Sequence, residues 1–129
     1  MKLLLDTHAI LWWLDDDPRL ENEARAMIMQ GDAQLMVSIA SLWEIAIKHR
    51  AGKLRATAAL VASRLPEADI MILPVKVTHL TAMEQLPMIH RDPFDRLIVA
   101  QALVEPAQIM TNDDVVRQYG VACIGTSQS

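Results

Sequence analysis

The chain has 129 residues, 52% of them apolar and 22% charged, which suits one packed core and excludes a disordered tail protein or two independent domains. Lys and Arg number 12 against 16 Asp and Glu, a formal charge of −4, so the protein does not coat nucleic acid by bulk attraction. A single cysteine, Cys123, excludes an internal disulfide or a multi-cysteine zinc site and suits a reducing compartment.

The first apolar run, Leu3-Leu4-Leu5, reads as a buried strand and is broken by Asp6 and His8 with no cleavage site behind it. No run approaches the roughly 18 apolar residues that cross a bilayer. The expectation is a cytoplasmic protein without a signal peptide or membrane span. Leu11-Trp12-Trp13-Leu14 follows; helical geometry does not turn two neighbouring indoles into one core, so one is expected inside and the other left for a groove or a partner, the alternative being that neighbouring helices cover both. Residues 19–30 are rich in helix formers and stop at Gly31, and residues 35–37 form a second apolar run. Over residues 39–51, Leu42, Trp43, Ala46 and Ile47 recur at helical spacing before Gly52. Residues 70–73 make a third strand candidate. Residues 94–104 repeat the helical pattern, with Pro106 beyond, and residues 108–110 and 121–124 complete five strand candidates. Strands separated by helices predict an α/β domain, a parallel sheet with helices on both faces and a ligand crevice at the strands' carboxyl ends.

Four acids fall at that crevice. Asp6 follows the first strand and Asp113 the fourth, each also a natural helix cap. Glu44 lies among apolar residues in the second turn of the helix if Ser38 is its cap, although Ser41-x-x-Glu44 also reads as a capping box; a carboxylate buried there needs a partner. Asp92 before Pro93 is the cap of the next helix, which puts Asp95 in its first turn. Clustered carboxylates raise one another's pKa unless a cation joins them, and an all-oxygen donor set suits Mg²⁺, with Mn²⁺ as substitute.

Residues 1–8 (MKLLLDTH), 38–48 (SIASLWEIAIK), 91–98 (RDPFDRLI) and 110–113 (MTND) together resemble the four acidic motifs of PIN-domain ribonucleases, most closely VapC-type toxins of toxin-antitoxin pairs. The resemblance spans nearly the whole chain. It implies a single PIN-like nuclease domain over residues 1–129, a three-layer αβα sandwich around a parallel sheet. It also implies Mg²⁺-dependent endoribonuclease activity, a homodimer and a VapB-type antitoxin partner. Under it, Asp6, Glu44, Asp95 and Asp113 are the catalytic metal ligands, and Thr7, Thr111 and Asp92 are auxiliary groups that orient water or carboxylates.

Residues 48–55 hold four of the 12 basic side chains and no acid, so Lys48, Arg50, Lys53 and Arg55 are candidates to grip RNA phosphates, alongside a plain helix-dipole role. His8, His49, His79 and His90 show no metal-ligand spacing and read as structural or solvent-facing, with His90 alone near an acidic motif. Cys123 reads as inert core. An aspartyl-nucleophile phosphatase also begins with a strand ending in Asp, but its second Asp is replaced here by His8 and no lysine precedes a late acidic pair. A non-catalytic α/β interaction module, its acids only capping helices, is the other alternative.

Overall fold

In the computed structural model, residues 1–125 are described; the last four residues of the expected 1–129 domain lie outside the described residues. Five strands, β1 (Lys2–Leu5), β2 (Gln34–Ser38), β3 (Met71–Leu73), β4 (Gln108–Met110) and β5 (Cys123–Ile124), form one sheet in the order β3-β2-β1-β4-β5. Every paired neighbour runs parallel, with Leu4 opposite Met36 on one side and Ile109 on the other. Seven α-helices are described among these residues: α1 (Thr7–Leu14), α2 (Asn22–Gln30), α3 (Ile39–Arg50), α4 (Ala58–Arg64), α5 (Val77–Glu84), α6 (Pro93–Val104) and α7 (Asp114–Arg117).

The central strand explains its own composition. Leu3, Leu4 and Leu5 are all fully buried, because a strand covered on both faces has no solvent side. Leu3 and Leu5 pack with Ile10, Trp13, Ile28, Ile45 and Val61 from α1 to α4, while Leu4 packs with Ile98, Val99, Ala102 and Val116 from α6 and α7. Truncating one such leucine to alanine costs about 3 kcal/mol. From β1 the chain builds outward through β2 and β3, then crosses to β4 and β5, so the strand order reverses between β1 and β4. A crevice opens there at the carboxyl ends.

Local chemistry sets the helix ends. Ser38 caps α3, its hydroxyl accepting from Ala40 N–H at 2.9 Å, which leaves Ser41 buried inside the helix. Gly52, at φ +77°, supplies the left-handed residue just beyond α3. Of the expected apolar stripe on α3 (Leu42, Trp43, Ala46 and Ile47), only Leu42 faces inward, and Ala46 is exposed with the other two. Leu42 and Ile45 are buried, whereas Trp43 is 59% and Ile47 47% exposed, because α3 turns the face bearing Ser41, Glu44 and Ile45 inward and leaves Ile39, Trp43 and Ile47 outside. Trp13 is the inward indole of its pair; Trp12 is half-buried. Among the described residues, no helix is long and apolar enough to cross a membrane.

Candidate metal centre

Asp6 directly follows β1 and caps α1, with Oδ1 accepting the Ala9 N–H at 2.8 Å. It is 8% exposed, and burial pushes its carboxyl above the usual range despite a hydrogen bond from Thr111. Its own backbone N–H donates to Met110 O, which ties the ends of β1 and β4 together. Next to it, Thr7 donates to Glu44 Oε1 at 2.7 Å, and Lys48 Nζ stands 2.8 Å from Glu44 Oε2. These are the partners that a carboxylate inside α3 requires.

Asp92 caps α6 by accepting from Phe94 and Asp95 N–H, with Pro93 in the first helical position. Asp95 is thereby turned toward Asp113, which caps α7 through the Val115 N–H at 2.8 Å. Thr111 Oγ1 accepts the Asp113 N–H at 3.0 Å and fixes the strand-to-helix turn. Between the two acids stands His90, its Nε2 3.0 Å from Asp95 Oδ2 and 3.2 Å from Asp113 Oδ2. The Asp92 N–H donates to His90 Nδ1 at 3.2 Å, so a neutral ring carries its proton on Nε2 and presents it to both carboxylates.

Asp95 is pushed up to about 7, first by burial, then by the charge of Asp92; His90 opposes the shift, and Glu44 and Asp113 add to it. Asp113 also raises Asp6. The four acids therefore share one electrostatic neighbourhood, although the tight group, with ligand atoms within 4.8 Å of one another, is His90, Asp95 and Asp113. Such a set can hold a divalent cation through oxygen donors; its crowded carboxyls gain from one.

A PIN domain family profile matches residues 3–122. The chain belongs to the PIN domain family. No curated protein sequence matches it. Among solved structures, this PIN domain is similar to a chain of VapBC2 from Rickettsia felis bound to a promoter DNA fragment, with TM-score 0.72, 16% identity and coverage of 97% of this chain and 98% of that one. It is also similar to a chain of VapBC-1 from nontypeable Haemophilus influenzae, TM-score 0.68, 18% identity, covering 99% and 100%. A toxin-antitoxin complex from Klebsiella pneumoniae gives TM-score 0.69 at 12% identity, covering 99% and 100%. At these identities the likeness is one of fold.

Within the PIN domain, the structure revises three expectations drawn from the sequence. Lys48 does not stand free for phosphate: it is half-buried and paired with Glu44, because the i,i+4 spacing on α3 puts both on one face. Arg50, Lys53 and Arg55 are exposed at and beyond the carboxyl end of α3. His90 is half-buried and not solvent-facing, and its ring contacts Asp95 and Asp113 directly. Its loop is held by Tyr119, whose hydroxyl accepts the His90 N–H at 2.7 Å, and by Arg96, which donates to Pro87 O, Met83 O and that same hydroxyl. These contacts span up to 29 residues, and no spacing rule signals them. Cys123 is half-buried rather than core, with burial raising its thiol pKa.

Proposed function

We propose that this PIN domain is an Mg²⁺-dependent endoribonuclease and the VapC-type toxin of a toxin-antitoxin pair, acting in the cytoplasm with Mn²⁺ as a substitute ion. The observation that carries the reading is the convergence of acids at the carboxyl ends of β1 and β4, where ligand atoms of Asp95, Asp113 and His90 lie within 4.8 Å of one another and burial, with the charges of Asp92, Glu44 and Asp113, pushes the Asp95 carboxyl up. Asp6, Asp95 and Asp113 would hold the ion, with Glu44 completing the acid set. When bound, such an ion supplies charge to a phosphoryl oxygen and lowers the pKa of water for in-line attack on a phosphodiester, leaving 5'-phosphate and 3'-hydroxyl ends.

The chain's own groups do the positioning. Thr7 and Lys48 fix both oxygens of Glu44, Thr111 ties Asp6 to the turn that carries Asp113, and Asp92 sets the start of α6 so that Asp95 faces the crevice. Arg50, Lys53 and Arg55 are offered as contacts to the RNA backbone. The outward face of α3, with Ile39, Trp43 and Ile47, is apolar surface available to an antitoxin or to the second subunit of a homodimer. The neighbouring folds found in toxin-antitoxin complexes support the partner.

The test is cleavage of structured RNA in Mg²⁺, Mn²⁺ or EDTA by the wild type, Asp6→Asn and Asp95→Asn. Metal-dependent cleavage by the wild type and its loss in both variants is expected. Full cleavage by either variant, or in EDTA, overturns the assignment; Mn²⁺ binding independent of Asp6 would favour the non-catalytic interaction module.

A further inference from the structure

Helix α1 starts at the acid crevice, and its first turn carries something the nuclease reading leaves unused. Ala9, Ile10 and Trp13 close the inner face of α1 on the core, while His8, directly after Asp6 and Thr7, is exposed. Its ring is stacked on Trp12, one helical turn along, with centroids 5.6 Å apart and planes 11° from parallel. The Arg19 guanidinium lies 4.9 Å from the centroid of the same indole. Asp17 grips Arg19 through both oxygens, at 3.1 and 2.7 Å, so the cation is itself held in place. Arg19 and His8 thus both lie against the Trp12 indole as a ladder of planar groups, and His8 belongs to the first turn of α1, beside Asp6.

We propose that the His8–Trp12 ladder is a stacking subsite for one unpaired nucleobase of the RNA, the nucleotide beside the phosphate presented to the acids. The proposal rests on the nuclease reading and deepens it by assigning a base-contacting side chain outside the acid set. Three features favour a base as the guest. The ring is flat, exposed and already ordered by its neighbour, so a second flat ring can join with little loss of rotamer freedom. It lies two residues from Asp6, and its charge is among those that act on the Asp6 carboxyl. A base inside a duplex has both faces covered by its own neighbours, whereas a loop base has a free face. Because stacking reads the face and not the edge of the base, this subsite selects unpaired RNA and not a particular base.

The experiment uses the full chain in EDTA at low ionic strength, titrated with a short RNA carrying one 2-aminopurine, either single-stranded or annealed to its complement. Wild type is expected to bind the single strand more tightly than the duplex and to quench the 2-aminopurine. His8→Ala should weaken binding by about 5- to 50-fold and abolish the quench, and His8→Phe, which keeps a ring, should retain both. His8 is exposed, so thermal melts of the variants should match wild type; a large drop in melting temperature for His8→Ala would make the stack a brace for α1 and overturn the proposal. Wild-type affinity and quenching in His8→Ala, equal weakness in His8→Phe, equal affinity for duplex, or no binding at all would each overturn it too. Mg²⁺-dependent cleavage of the same strand separates the two readings. Binding with quench but no cleavage removes the nuclease chemistry alone, and cleavage with no effect of His8→Ala removes the subsite alone.

Discussion

In α5, His79 accepts the Lys76 N–H at Nδ1 (3.0 Å) and turns Nε2 to one carboxylate, Glu105, at 2.7 Å. In the loop before α6, His90 accepts the Asp92 N–H at Nδ1 (3.2 Å) and turns Nε2 to two, Asp95 at 3.0 Å and Asp113 at 3.2 Å. The local device is the same and the stoichiometry differs. With the His79 ring and, at 3.7 Å, the Lys76 ammonium set against one acid, Glu105 is held below the usual carboxylate range, first by the His79 bond, and the fully buried ring fastens α5 to the end of α6. With one donor for two acids, His90 only partly opposes burial and the charge of Asp92, and Asp95 is pushed up to about 7. Matched pairing stabilises structure; mismatched pairing leaves carboxyls that gain from a cation.

The strongest way to break the comparison is to neutralise one acid from each set. Asp95→Asn should lower metal-dependent RNA cleavage by more than about 100-fold while leaving the melting temperature unchanged or raised, whereas Glu105→Gln should leave the rate per folded molecule near wild type. Initial rates corrected for the folded fraction by circular dichroism check this, and a comparable rate loss in Glu105→Gln would end the distinction. Next in size, His79→Ala removes a fully buried ring and the partner of Glu105, and should cost about 2–4 kcal/mol in urea unfolding with little effect on cleavage.

The pH dependence sharpens the contrast. The folded carboxyl of Asp95, at about 7, lies above its unfolded value of about 3.9, so the native state binds the proton more tightly. Stability in EDTA should therefore fall as pH rises from about 4 to about 7 and level off above, by on the order of 1 kcal/mol after solvent screening. Asp6 is shifted in the same direction. Urea melts at pH 5 and pH 7.5 should show the loss, and Asp95→Asn should reduce it; an unchanged slope in the variant would remove Asp95 as its source. The smallest effect is reserved for Tyr119→Phe, which deletes the hydroxyl that accepts from His90 and Arg96. Hydrogen exchange over residues 86–91 should quicken and cleavage fall by about 2- to 10-fold.

What the sequence reveals follows from where each signal resides. The strands were legible because a central parallel sheet needs unbroken apolar runs, as at Leu3-Leu4-Leu5, and α3 and α6 because they are long and capped by Ser38 and Asp92. Helix α5 was not, because its outer face breaks the pattern: Val77 is 77% and Leu80 41% exposed while His79 is buried. Helix α7 has only four residues, too few for a periodicity. Asp6, Glu44, Asp95 and Asp113 stood out by their positions at strand ends and helix starts. His90 did not, since Tyr119 and Arg96 place it through contacts made only after folding.

The pairing of β1 with β4 also sets an order in time. Leu3 lies opposite Gln108, so the strand ends that carry Asp6 and Asp113 meet only after nearly the whole chain exists. During synthesis Asp6 and Glu44 are made long before Asp95 and Asp113, and a partial chain holds half of the acids with no crevice between them. The acid crevice is therefore absent from a partial chain and comes into being only when β4 docks beside β1.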